Sequence, residues 1–176
     1  MYRTLLISLL LTSNMNLADE KEVNPFKNFH KVDPNIYRSE QPSKKGMQFL
    51  KNKGIKTIIN LRESQKDDKK SKGLDFTLEH YPISTWKINE NDLVSVLKII
   101  KSAKGPILIH CKHGSDRTGC IIAAYRIIFQ QWTKEKALQE LRMSEFGYHE
   151  FWFPDIVKLI NNLDINRVKG ELNLNP

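Results

Sequence analysis

The sequence predicts an α/β domain in which a central, largely parallel sheet is flanked by helices. Three observations carry this. Short apolar, β-branched runs bounded by turn residues recur at Ile55 to Leu61, Phe76 to Ile83 and Ile107 to Ile109. Segments with apolar residues at helical spacing stand between them, and beyond residue 117 the helical pattern takes over.

Taken in order, Met1-Tyr2-Arg3 and the apolar run Thr4 to Thr12 form a basic start and a stretch too short to span a bilayer. Residues 1–18 are therefore expected to be a signal peptide. Residues 19–34 are polar, contain Pro25 and Pro34 and show no period, so they read as a lead-in. The folded domain is expected over 35–165. Ile36-Tyr37-Arg38 suits a short strand, and Pro42-Ser43 opens a helix with Met47, Phe49 and Leu50 inward, closed by Gly54. Ile55 to Leu61 reads as a central strand. Arg62 to Gly73, dense in Lys, Asp, Glu and Ser, reads as an exposed loop.

Phe76 to Ile83 predicts the next strand, and Asn91 or Asp92 caps a helix carrying Leu93, Val96, Leu97 and Ile100 on one face. Gly105-Pro106 ends it, and Ile107-Leu108-Ile109 has the composition of a strand buried on both faces. Cys120, Ile121, Ala123, Ala124, Ile127 and Ile128 make the following helix apolar around most of its circumference, hence buried. Trp132-Thr133 breaks it, Thr133 caps a helix with Ala137, Leu138 and Leu141 inward, and Pro154 to Leu163 forms the last helix before a polar tail over 166–176.

At 176 residues the chain is sized for one domain that needs neither metal nor disulfide, and 40% hydrophobic with 27% charged residues is a globular composition rather than a disordered one. The net charge of +8 suits an anionic substrate. No zinc-finger spacing, helix-turn-helix signature or aromatic-interleaved basic stripe accompanies it, so nucleic acid is not expected as a partner. The only cysteines, Cys111 and Cys120, lie too close together to form a disulfide framework. Cys120, on the buried helix, reads as a small core residue.

The chemistry lies in His110-Cys111-Lys112-His113-Gly114-Ser115-Asp116-Arg117-Thr118-Gly119, a polar loop between a buried strand and a buried helix. Successive backbone N–H groups of such a loop, together with the helix N-terminus, form a cradle for an oxyanion. Gly114, Ser115 and Gly119 belong to that cradle, Lys112 and His113 rim it, and the planar fork of Arg117 clamps the equatorial oxygens of a phosphate. The same field favours a thiolate at Cys111, which makes it a nucleophile able to form a phosphocysteine that water then hydrolyses. Thr118 is placed to stabilise the departing thiolate, and His110 to hydrogen-bond the loop. Arg38 and Arg62 end predicted strands on the side where α/β sheets bind ligands.

The His-Cys, five residues, Arg-Thr-Gly segment closely resembles the signature of the protein-tyrosine and dual-specificity phosphatases. A looser likeness runs through Ile36 to Pro42, Ile55 to Arg62 and Tyr81-Pro82-Ile83, covering about residues 35 to 165. The resemblance implies a phosphatase-type α/β fold and a metal-independent, cofactor-free phosphomonoester hydrolase. It also implies a general-acid aspartate on a separate loop, where this chain has Ser84-Thr85-Trp86-Lys87 instead. Asp116 resembles the Asp-Arg-Thr-Gly ending of some bacterial tyrosine/lipid phosphatases and is the leading candidate acid. A carboxyl beside a bound phosphate dianion is discouraged from ionising, which equips it to donate a proton. Asp92, which also reads as a helix cap, Glu90, or the absence of a dedicated acid are the alternatives.

The expected substrate is a phosphorylated protein or, as the alternative, a phosphoinositide or inositol phosphate. A phosphate-binding pseudophosphatase and a sulfur-transfer or arsenate-reducing enzyme are the readings from other classes. The protein is expected to be an exported monomer, periplasmic or secreted, with no membrane span after signal removal; without a working signal it is cytoplasmic.

Overall fold

The computed structural model describes residues 23–174. The expected signal peptide, residues 1–18, lies outside them. Five strands form one sheet: β1 (Phe29–Lys31), β2 (Ile36–Ser39), β3 (Thr57–Asn60), β4 (Thr77–His80) and β5 (Ile107–His110). Their spatial order is β1-β2-β5-β3-β4, with β2, β5, β3 and β4 parallel and β1 antiparallel on the edge. β5, apolar from Ile107 to Ile109, is central and buried on both faces, as that composition requires. Ser39, Asn60 and His110 sit in register, so β2, β3 and β5 end together and present a common edge to the loop that follows His110.

Side-chain alternation divides the core. Ile59, Ile107 and Ile109 face a large layer built by α3 (Glu90–Ser102), α4 (Asp116–Gln130), α5 (Lys134–Leu141), α6 (Asp155–Asn161) and α7 (Ile165–Glu171). Ile58 and Leu108 face a smaller layer in which Met47 and Leu50 of α1 (Lys44–Asn52) pack with Phe26 and Phe29. The caps are locally encoded: the Ser43 side chain accepts from the Gly46 N–H at 3.1 Å, and the Thr133 side chain accepts from the Lys136 N–H at 3.2 Å. Gln131, with φ of 57°, closes α4 in the left-handed region.

Four local expectations change. The lead-in segment contributes β1, and the Phe26 ring packs so closely over Gly46 that a Cβ there would sit 2.9 Å from it. The charged stretch from Arg62 to Gly73 holds a short helix, α2 (Asp68–Ser71), together with the buried Asp67. The cap of α3 is Asn89 rather than Asn91 or Asp92; its side chain accepts from Asn91 N–H, while Asp92 reaches back to the Asn89 N–H at 2.9 Å. The polar tail contains α7, which buries Val168, followed by the buried Leu172.

Candidate active site

The segment from Cys111 to Ser115 leaves the C-terminal end of β5 and turns into α4. Its path is set by close approach. Gly114 has φ of 73°, and a Cβ there would lie 2.5 Å from the Ser39 carbonyl carbon, so only glycine fits. The end of β2 grips the loop: Arg38 Nη2 donates to Gly114 O at 2.8 Å, and Gln41 N–H donates to Lys112 O at 3.2 Å. Asn28 Nδ2 donates to His113 O at 2.8 Å. With the carbonyls held outward, none of the backbone N–H groups of Lys112 to Thr118 donates to another described residue. A run of free main-chain donors at a helix N-terminus is a ready receptor for an oxyanion. Gly119 is a correction to the expected cradle, because its N–H is taken by Ser115 O at 2.7 Å; its missing side chain instead admits Leu141, whose Cδ1 would lie 2.5 Å from a Cβ.

Cys111 is 2% exposed, and both cysteines are free. The Cys120 thiol is fully buried in the core, and burial holds its pKa far above the ordinary value, so it is an inert core residue. Arg117 Nη1 donates to Leu61 O at 3.3 Å and to Ile83 O at 3.2 Å, which ties the guanidinium to the loops after β3 and β4. Its Nε, and the hydroxyl of Thr118, are buried without a hydrogen-bond partner among the described residues. Unsatisfied buried donors are costly, and two of them beside an oxyanion cradle mark where a ligand completes the set.

Beneath the loop, His110 is fully buried. Its Nε2 lies 2.8 Å from Asp67 Oδ2, and its Nδ1 lies 3.2 Å from Cys111 O. Gln41 Nε2 donates to the other Asp67 oxygen at 2.5 Å, and Arg62 Nη1 donates to Gln41 Oε1 at 3.2 Å. Burial alone would push the Asp67 carboxyl up, but the hydrogen bonds from His110 and Gln41 and the charge of Lys70 together hold it below the usual carboxylate range. Arg38 is also buried, with its guanidinium 4.3 Å from the Phe146 ring centroid. Burial, partly opposed by Glu140, brings its pKa down to about 10. Arg38 therefore acts on the loop directly, whereas Arg62 acts on Gln41.

Above the loop opens a pocket of about 350 Å³ lined by Thr85, Lys112, His113, Asp116, Arg117, His149, Trp152 and Phe153. Lys112 and His113 are exposed at its rim, where burial and then the charges of Lys112 and His149 hold the His113 pKa below its ordinary value. Trp86 meets Phe153 edge-on at 4.8 Å, so the Ser84 to Lys87 segment forms one wall.

Of the three candidate acids only Asp116 lines this pocket. Asp92 completes the α3 capping box and accepts from Tyr81 Oη at 3.2 Å. Glu90 accepts from the Asp164 N–H at 2.9 Å and from Arg167 Nη1 at 2.5 Å. Asp116 is itself partnered: Oδ1 accepts from the His149 N–H at 2.9 Å, and His149 Nδ1 lies 3.1 Å from each carboxylate oxygen. Asp67, Gln41 and His149 escaped sequence reasoning. Their only signal was residue type, since they stand 43, 71 and 33 residues from His110, Lys112 and Asp116, the groups they bond in and beside the phosphate loop.

Residues 23–168 match the tyrosine phosphatase family. The chain is 33% identical over 128 residues to the dual specificity protein phosphatase TpbA of Pseudomonas aeruginosa, covering 71% of this chain and 58% of TpbA. It is 28% identical over 174 residues to the inositol diphosphatase SIW14 of Saccharomyces cerevisiae, covering 93% and 62%. The chain thus spans less than two thirds of the length of either relative. The crystal structure of TpbA in complex with phosphotyrosine superposes with a TM-score of 0.76 at 27% identity, covering 83% of this chain and 90% of that one. The SIW14 catalytic core in complex with citrate gives 0.71 at 27% identity, covering 85% and 94%.

Proposed function

This chain belongs to the tyrosine phosphatase family, and we propose that it hydrolyses phosphomonoesters through a phosphocysteine intermediate. The observation that carries the reading is the set of unused donors around Cys111: the main-chain N–H groups of Lys112 to Thr118, Arg117 Nε and the Thr118 hydroxyl. These donors match the three equatorial oxygens of a transferring phosphoryl group and the sulfur that leaves in the second step. Cys111 Sγ attacks phosphorus, the bond to the ester oxygen breaks, and the Asp116 side of the pocket supplies the proton that the departing oxygen takes. Water then attacks the phosphocysteine, releasing inorganic phosphate and restoring the thiolate.

His110 and Asp67 hold the loop from below, while Lys112 adds positive charge at the rim and His113 a polar ring. A phosphorylated protein is the leading substrate class, in keeping with the name of TpbA and with the Trp152 and Phe153 walls that suit an aromatic ring. An inositol phosphate is the second reading. It is favoured by Lys112, His113, Arg117 and His149 converging on one pocket, and by the name of SIW14.

Phosphate release from p-nitrophenyl phosphate, a phosphotyrosine peptide and inositol phosphates, measured under reducing conditions without metal, tests this. Cys111→Ser should abolish turnover of all three while leaving anion binding intact. Binding by the wild-type protein without any release would instead make it a pseudophosphatase.

A further inference from the structure

Two titratable side chains in contact, Asp116 and His149, line the pocket where the leaving oxygen must take a proton. We infer that the donor of that proton is Nε2 of His149, with Asp116 acting as the residue that positions it; this rests on the phosphatase reading. Oδ1 of Asp116 already accepts a main-chain N–H at 2.9 Å, and both oxygens face His149 Nδ1 at 3.1 Å. A carboxyl proton placed there would point at the imidazole and not into the pocket. With Nδ1 carrying a hydrogen, the ring instead donates to an acceptor-only carboxylate.

That fixes the tautomer and the ring orientation, as an aspartate does for a catalytic histidine. The exchangeable proton is left on Nε2, which bonds no other described residue, on a ring that lines the pocket. Exposure agrees with the division of labour, since the Asp116 side chain is 10% exposed and that of His149 is 48%. The charged groups facing the ring are Asp116 on α4, with His113, Lys112 and Arg117 around the pocket. The His113 ring centroid is 6.2 Å away. On the segment that bears His149, Glu150 pairs with Arg142 at 2.7 Å. Lys112 and Arg117 favour a bound anion, and that anion in turn favours the protonated ring.

The step balances. As the Cys111 Sγ–phosphorus bond forms, the phosphorus–oxygen bond breaks with its electron pair going to the oxygen, which takes the Nε2 proton and leaves a neutral ring. In the second step the attacking water gives a proton to Nε2 as its oxygen bonds phosphorus, and the phosphorus–sulfur bond breaks to return the thiolate.

The test compares wild type, His149→Gln, Asp116→Asn and Cys111→Ser on phenyl phosphate and p-nitrophenyl phosphate from pH 5 to 8. His149→Gln should lower kcat on phenyl phosphate by about 10²-fold, lower it much less on p-nitrophenyl phosphate, and remove the basic limb of the kcat profile. Asp116→Asn should keep that limb while lowering kcat on both substrates, because the ring has lost the carboxylate that orients it. The ratio of the two substrates within one variant is independent of the fraction folded, so partial misfolding cannot mimic the result. A His149→Gln enzyme with an unchanged ratio and an intact limb, or a limb abolished only by Asp116→Asn, overturns the proposal and returns the acid to Asp116. Phosphate release that survives Cys111→Ser overturns the phosphatase reading itself, a separate outcome.

Discussion

His110 is a polar ring with no exposed surface, placed where the nucleophile's loop begins, and its hydrogen bonds decide whether that loop has one conformation. Asp67 is the partner that makes burial tolerable, since an imidazole N–H left without an acceptor in the interior costs about 1–3 kcal/mol. Asp67→Ala should therefore lose about that much in urea unfolding at pH 7. The pH dependence has a definite sign. The native pKa of Asp67 lies below its unfolded value near 3.9, so its stabilisation is fully present above about pH 4 and disappears as pH falls through the depressed value. The gap between wild type and Asp67→Ala should narrow at pH 3, and unfolding curves that stay equally separated at both pH values would refute the assignment.

At the scale of elements, α7 shows how a helix can be held by its apolar side while its ion pairs add little. Val168 is fully buried, whereas the Lys98–Glu171 pair that joins α3 to α7 at 2.9 Å is about half exposed on both sides. Val168→Ala should cost about 2 kcal/mol, and Lys98→Met less than about 1 kcal/mol, when both are measured by urea unfolding. Equal losses would mean that the pair, rather than the core contact, fixes the helix. Ile165, Val168 and Leu172 recur at i, i+3 and i+7, so a signal for α7 existed beneath the surrounding Asn, Arg, Lys and Glu. The phosphate loop was legible because its chemistry lies within ten consecutive residues between two apolar elements. The β1 strand has only three residues, too few for alternation to register. Asp67 sits in a run of charges that looks solvated, and His149 gains meaning only when folding brings it to Asp116. Tertiary pairing of this kind leaves no local pattern to read.

For the molecule as a whole, positive charge is in excess, and two of its cations, Lys112 and Arg117, stand at the chemistry. The net charge of +8 sets a field that attracts anions, and the parallel strands end where Lys112, His113, Arg117 and His149 surround one pocket. Charges outside the pocket act through solvent, whose Debye length falls from about 10 Å at 0.1 M salt to about 3 Å at 1 M. The Arg117 contact with a bound phosphate is direct and far less screened. Capture of substrate should therefore be sensitive to salt while the chemical step is not. For an inositol phosphate carrying several charges, kcat/KM should fall about tenfold between 0.02 M and 0.5 M salt with kcat nearly constant. For p-nitrophenyl phosphate, with a single phosphate, the fall should be much smaller. If both substrates lose kcat/KM in the same proportion, the rim residues Lys112 and His113 do not recruit additional charge, and the case for an inositol phosphate substrate loses its electrostatic support.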